Sequence, residues 1–133
     1  MELESLLLSS GLDAPWNSEP LCVDFDGVLH HYTSAWTSPV VIPDPPVPGA
    51  LEWLDEVCEA FTVHVFSVRS TWPGAIQAMR DWFEFHGFDS DRLSFPVEKP
   101  YSRMYIDDRG YHFTGDNFPS VEEMKSFVPW NKR

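Results

Sequence analysis

The stretch that most constrains the fold is Leu21-Cys22-Val23, which runs directly into Asp24-Phe25-Asp26-Gly27-Val28. An apolar run of this kind reads as a buried strand. The two acids stand two positions apart, so they leave the strand in the same general direction, and Gly27 permits a sharp turn beyond them. One carboxylate can then act as nucleophile while the other handles protons, with both near a divalent cation. That is equipment for phosphate chemistry. An acidic loop without chemistry also accounts for the triplet taken alone.

The later apolar runs narrow the choice. Phe61-Thr62-Val63-His64-Val65-Phe66 alternates like a strand and ends in Ser67; Leu93-Ser94-Phe95-Pro96-Val97 is followed by Glu98-Lys99-Pro100; Met104-Tyr105-Ile106 ends in Asp107-Asp108-Arg109. Each polar group sits at or just after the C-terminal end of a strand pattern, where open parallel α/β sheets place their ligand crevice. Between the strands, Leu51, Leu54, Val57 and Cys58 mark a helix over Pro48 to Ala60, and Ile76, Met79, Trp82 and Phe83 mark another from Pro73 to His86-Gly87. Short strands near Leu93-Phe95 and Tyr111-Phe113 and a final helix at Ser120-Phe127 are expected as well. The alternation predicts an α/β fold, a three-layer α/β/α sandwich around a mainly parallel, Rossmann-like sheet of about five strands.

With these residues in order, the chain resembles the haloacid dehalogenase superfamily from about Leu21 to Phe113. Its phosphatases carry DxDG[TV], then Ser or Thr, then Lys, then an acidic pair, matched here by Asp24-Phe25-Asp26-Gly27-Val28, Ser67, Lys99 and Asp107-Asp108. It is similar in particular to small phosphatase-like members of bacterial and phage type, whose second motif continues with an arginine, as Ser67-Val68-Arg69-Ser70 does. Lys99 lies eight residues before Asp107 with no helix pattern between, so it is expected to reach the site from a loop. Neither usual insertion point has room for a cap domain, so the resemblance implies a capless, open site.

The resemblance implies a Mg²⁺-dependent phosphohydrolase cleaving a phosphomonoester, a small metabolite or a nucleotide. Asp24 would attack phosphorus to give an aspartyl-phosphate. Asp26 would protonate the leaving oxygen and then deprotonate the hydrolytic water. Asp24, Asp107, Asp108 and the backbone carbonyl of Asp26 would bind Mg²⁺, a hard ion that prefers oxygen donors. Ser67 and Lys99 would hold phosphoryl oxygens. Structural readings stand beside these: Ser67 as the cap of the following segment, Lys99 as a surface lysine, and Arg69 as either a second phosphate ligand or a salt bridge. His30, His31, Tyr32 and Trp36 are candidates to line the substrate pocket; Trp36 and Trp72 either stack a base or sugar or pack as core and lid. Two further classes compete. A signalling receiver domain puts its acidic pair first, the reverse of the order here, whereas a non-catalytic binder of a phosphorylated ligand needs only the phosphate pocket.

Length and composition set outer limits. A chain of 133 residues with 43% hydrophobic and 15% aromatic residues reads as one domain, 1–133, with residues 1–20 as a short helix and connection and the Pro-rich 30–48 as a flap. A formal net charge of -12 argues against duplex nucleic acid as a partner and leaves a phosphorylated small molecule as the first candidate, or a phosphoprotein. Cys22 and Cys58 both read as core residues, and the acidic Met1–Leu8 lacks the basic start of a signal peptide, so a soluble cytoplasmic protein without membrane contact is expected. An uncapped apolar rim would favour a homodimer.

Overall fold

In the computed structural model, which describes residues 19–133, Leu21, Cys22 and Val23 form the middle of the central strand β1 (Pro20–Asp24). β2 (Thr62–Phe66) pairs with one side of β1 and β3 (Tyr105–Ile106) with the other, both parallel. The register sets Asp24 opposite Phe66 and Val23 opposite both Val65 and Ile106. All three strands therefore end at one edge of the sheet, so Asp24, Ser67 and Asp107 emerge side by side.

Parallel neighbours cannot be joined by a hairpin, and helices supply the crossovers. α1 (Ala50–Ala60) leads into β2, and α2 (Ala75–Phe85) lies between β2 and β3. α2 buries Ala75, Met79, Trp82 and Phe83, a stripe at helical spacing, against a core that includes Val23, Phe25, Leu54, Val63 and Val65. Phe25 belongs to this core because alternation along the strand turns it away from the two acids on either side. It is fully buried, 5.0 Å from the Trp82 ring and 5.7 Å from Phe83. A third helix, α3 (Val121–Ser126), begins at the expected place because Ser120 and Glu123 form a capping box: Glu123 N–H donates to Ser120 Oγ and Ser120 N–H to Glu123 Oε1.

The described residues thus form an α/β fold with a small open parallel sheet of three strands and three α-helices, fewer strands than the five or so expected. Leu93–Phe95 supplies a single bridge, Ser94 beside His64, and Pro96 then removes the N–H that would extend the ladder. Tyr111–Phe113 is irregular. Asn117 takes over hydrogen bonding there, accepting from Thr114 N–H and donating to the His112 carbonyl, so a locally closed loop replaces an edge strand.

Residues 31–49 are irregular, as their prolines predict, but the segment is fastened at both ends. His31 N–H donates to the Pro45 carbonyl (2.9 Å), Val47 N–H to the Leu29 carbonyl (2.8 Å) and the Trp82 indole to the Asp44 carbonyl (3.0 Å). Of the expected N-terminal helix and connection, residues 1–18 lie outside the described residues. Among the described residues both cysteines are free thiols, and no helix is long and apolar enough to cross a membrane.

Candidate functional site

Asp24 from β1, Ser67 after β2, Lys99 from the loop before β3, and Asp107 and Asp108 after it line one cleft of about 320 Å³. An adjoining depression of about 300 Å³ shares Asp24, Ser67 and Asp108 and adds Asp26, Tyr32 and Trp36. The four stretches singled out in sequence do meet. Three larger depressions, about 630, 590 and 440 Å³, contain none of these residues. Convergent polar groups, not volume, mark the site.

Asp24 and Asp108 form the centre of the cleft. Asp24 accepts the Phe25 N–H (2.9 Å), which orients its carboxyl group, and the Asp108 carboxyl lies within hydrogen-bond reach of it. Burial, the shared hydrogen bond and the negative charges of Asp108 and Asp26 together push the Asp24 pKa up to about 8, outweighing the Phe25 N–H. Gly27 makes room for this pairing: its φ is +89°, and a Cβ there would fall on the Asp108 carboxylate.

Two carboxyl groups held this close are the groups that a hard dication relieves. Among the described residues no cluster of three or more His, Cys, Asp or Glu side chains is arranged to hold a metal ion. Mg²⁺ commonly takes only one or two carboxylates and completes its shell with water and substrate phosphate, so the Asp24–Asp108 pair fits it. Asp107 also lines the cleft, and its Oδ1 accepts the N–H groups of Arg109 and Gly110 and so shapes the turn that carries Asp108.

Asp26, which lines the adjoining depression with that pair, is held by other partners. Its Oδ1 meets His30 Nδ1 (2.8 Å) and an Arg69 terminal nitrogen (2.9 Å), and its Oδ2 accepts Arg69 Nε (2.9 Å) and Ser67 Oγ (3.2 Å). Burial alone would raise its pKa, but the hydrogen bonds from His30 and Arg69 and the adjacent Arg69 charge outweigh burial and hold the carboxyl below its ordinary value. Arg69 is 1% exposed, with its remaining nitrogen directed at the carbonyls of Pro39 and Val41. It therefore sits behind the cleft as a buried ion pair and does not line the cleft as a phosphate ligand.

His30 is likewise buried, not pocket-lining. Its Nε2 accepts the Asp44 N–H (3.0 Å), which leaves Nδ1–H to donate to Asp26. Ser67 fills the capping role read from sequence, accepting the Arg69 N–H at the start of the 3₁₀ turn Val68–Thr71, while its hydroxyl donates to Asp26. Lys99 is exposed at the cleft with its ammonium 4.5 Å from the centre of the Tyr105 ring. Sequence reasoning missed the contribution of Trp130, whose indole N–H donates to the Gly27 carbonyl (2.7 Å) from 103 residues away. The one local signal for the His30 role was its position four residues after Asp26.

Searches of family models, curated proteins and solved structures return no match to this chain.

Proposed function

We propose that this protein is a Mg²⁺-dependent phosphohydrolase acting on a phosphomonoester, with Asp24 as nucleophile. The observation that carries the reading is the meeting of Asp24 and Asp108 in a cleft also lined by Ser67 and Lys99, each delivered by a different strand end or loop. The ordered motifs that resemble the haloacid dehalogenase superfamily support it, and the fuller three-layer, capless sandwich is part of the same proposal.

In this mechanism an Asp24 oxygen attacks phosphorus, the bond from phosphorus to the leaving alcohol oxygen breaks, and water later cleaves the aspartyl-phosphate. Mg²⁺ held by Asp24 and Asp108 would neutralise charge on the transferring group. Lys99 would hold phosphoryl oxygens from the open side and Ser67 from below. Asp26, kept ionised by Arg69, is in the state to accept a proton from the hydrolytic water; to protonate the leaving oxygen in the first step it must part from Arg69 and first take up a proton from solvent.

That clamp on Asp26 is also the specific observation that favours a second reading, a non-catalytic binder of a phosphorylated ligand. Phosphate release measured with Mg²⁺ and with EDTA over nucleotides, sugar phosphates and phosphopeptides separates the two. Metal-dependent release that Asp24→Asn abolishes supports the hydrolase. Retained ligand binding with no release supports the binder.

A further inference from the structure

The depression beside Asp24 has an aromatic side that the phosphoryl chemistry leaves unused. Trp36 and Tyr32 line it together with the acids. Both rings are held by a neighbouring cation. The Arg69 guanidinium lies over one face of Trp36, its carbon 4.6 Å from the ring centroid, and the same guanidinium is fixed to Asp26. The indole is thereby kept in register with the site. Yet Trp36 remains 44% exposed, a large open ring surface that core packing does not explain.

Tyr32 is set by the last turn of the chain. Its carbonyl accepts from Asn131 Nδ2 (3.0 Å) and Lys132 Nζ (2.9 Å), the Lys132 ammonium lies 4.2 Å from its ring centroid, and Asn131 also binds the His31 carbonyl (3.1 Å). Trp130 fastens the nearby Gly27 carbonyl. These contacts hold Tyr32 at φ 55°, in the left-handed region that non-glycine residues rarely occupy. Strain maintained by so many contacts at the edge of a cleft points to a ring that must be presented there.

We infer that this depression is a ring subsite: the phosphomonoester bound at Asp24 carries a planar aromatic group, a nucleobase or an aryl ring, that stacks on the open face of Trp36. The inference rests on the phosphohydrolase reading for the phosphoryl end and adds the chemistry of the alcohol. A volume of about 300 Å³ is at the lower end of small-molecule pockets, suited to one ring system and its linker. Arg69 covers one face of the indole and leaves the other as the stacking surface, and base stacking on an aromatic side chain needs no hydrogen-bond code. Sugar phosphates and acyclic phosphates gain none of this contact.

The test compares adenosine and uridine monophosphates, phenyl phosphate and ribose 5-phosphate with Mg²⁺, using the full chain, Trp36→Ala and Trp36→Phe. Trp36→Ala is expected to raise KM for the ring-bearing substrates about tenfold or more, with Trp36→Phe restoring much of the loss. The nucleotide and phenyl arms distinguish base from simple aryl recognition. Ribose 5-phosphate turned over as efficiently as the nucleotides, or an unchanged KM in both Trp36 variants, overturns the subsite while leaving the hydrolase intact. If nothing is turned over, calorimetric titration with the same compounds decides: ring-dependent binding lost in Trp36→Ala upholds the subsite without the hydrolase, and binding without ring preference, or none, removes it.

Discussion

Replacing Arg69 by Met tests the electrostatic framework of the site. Arg69 and Asp26 have side-chain exposures of 1% and 11%, and two hydrogen bonds of 2.9 Å join them. Methionine matches the length of the arginine stem but leaves the Asp26 carboxylate buried with only His30 and Ser67 as partners. Breaking one half of a buried pair costs about 3–5 kcal/mol, because the surviving charge stays desolvated. With a urea m-value of about 1–3 kcal/mol/M, the unfolding midpoint should fall by roughly 2 M.

The loss has a defined pH dependence. Asp26 titrates below its ordinary value in the folded protein, so its stabilisation is present above the unfolded pKa near 3.8 and is lost as pH falls through the lower folded value. The gap between wild type and Arg69→Met should therefore be full at neutral pH and shrink below about pH 4. Adding Asp26→Asn to Arg69→Met should recover part of the loss, with a coupling energy of about 2 kcal/mol or more. Urea titrations at both pH values read all three quantities. A cost below about 1 kcal/mol, as exposed ion pairs give, would refute the buried-clamp argument.

Other outcomes follow from the same geometry. Without a divalent cation, Asp24 with its pKa near 8 binds more protons folded than unfolded between about pH 4 and 8, so stability falls as pH rises, by at most about 1.4 kcal/mol per pH unit; thermal scans in EDTA should show this slope in wild type and lose it in Asp24→Asn. Gly27→Ala forces a Cβ at φ +89° onto Asp108 and should cost at least about 1–3 kcal/mol, checked by urea unfolding; a stability equal to wild type would contradict the close approach. Trp130→Phe removes the hydrogen bond to the Gly27 carbonyl while keeping ring bulk, so a loss of about 1 kcal/mol is expected, and a neutral result would mean that the contact contributes nothing.

The central strand, both crossover helices and α3 were legible because each follows a local rule. An apolar run makes β1, stripes at helical spacing make α1 and α2, and a Ser-Glu pair starts α3. The strands expected at Leu93–Phe95 and Tyr111–Phe113 were over-read, because Pro96 and Asn117 settle their neighbourhoods through a missing donor and contacts that alternation does not register. The cleft followed from strand ends, since a parallel register carries Asp24, Ser67 and Asp107-Asp108 to one edge. The division of labour among those residues was hidden. Whether Asp107 or Asp108 faces Asp24 depends on a turn closed by backbone N–H groups, and whether Arg69 meets substrate or Asp26 depends on the fold of residues 39–41 around it. The distant clip from Trp130 has no local signature at all.

The most direct test of the central claim is acid-quench trapping during turnover with Mg²⁺, followed by mass analysis of the peptide that carries Asp24. The account predicts one added phosphoryl group on Asp24, absent in EDTA and in Asp24→Asn. Phosphate release that persists in Asp24→Asn, with no modified peptide at any quench time, would contradict it.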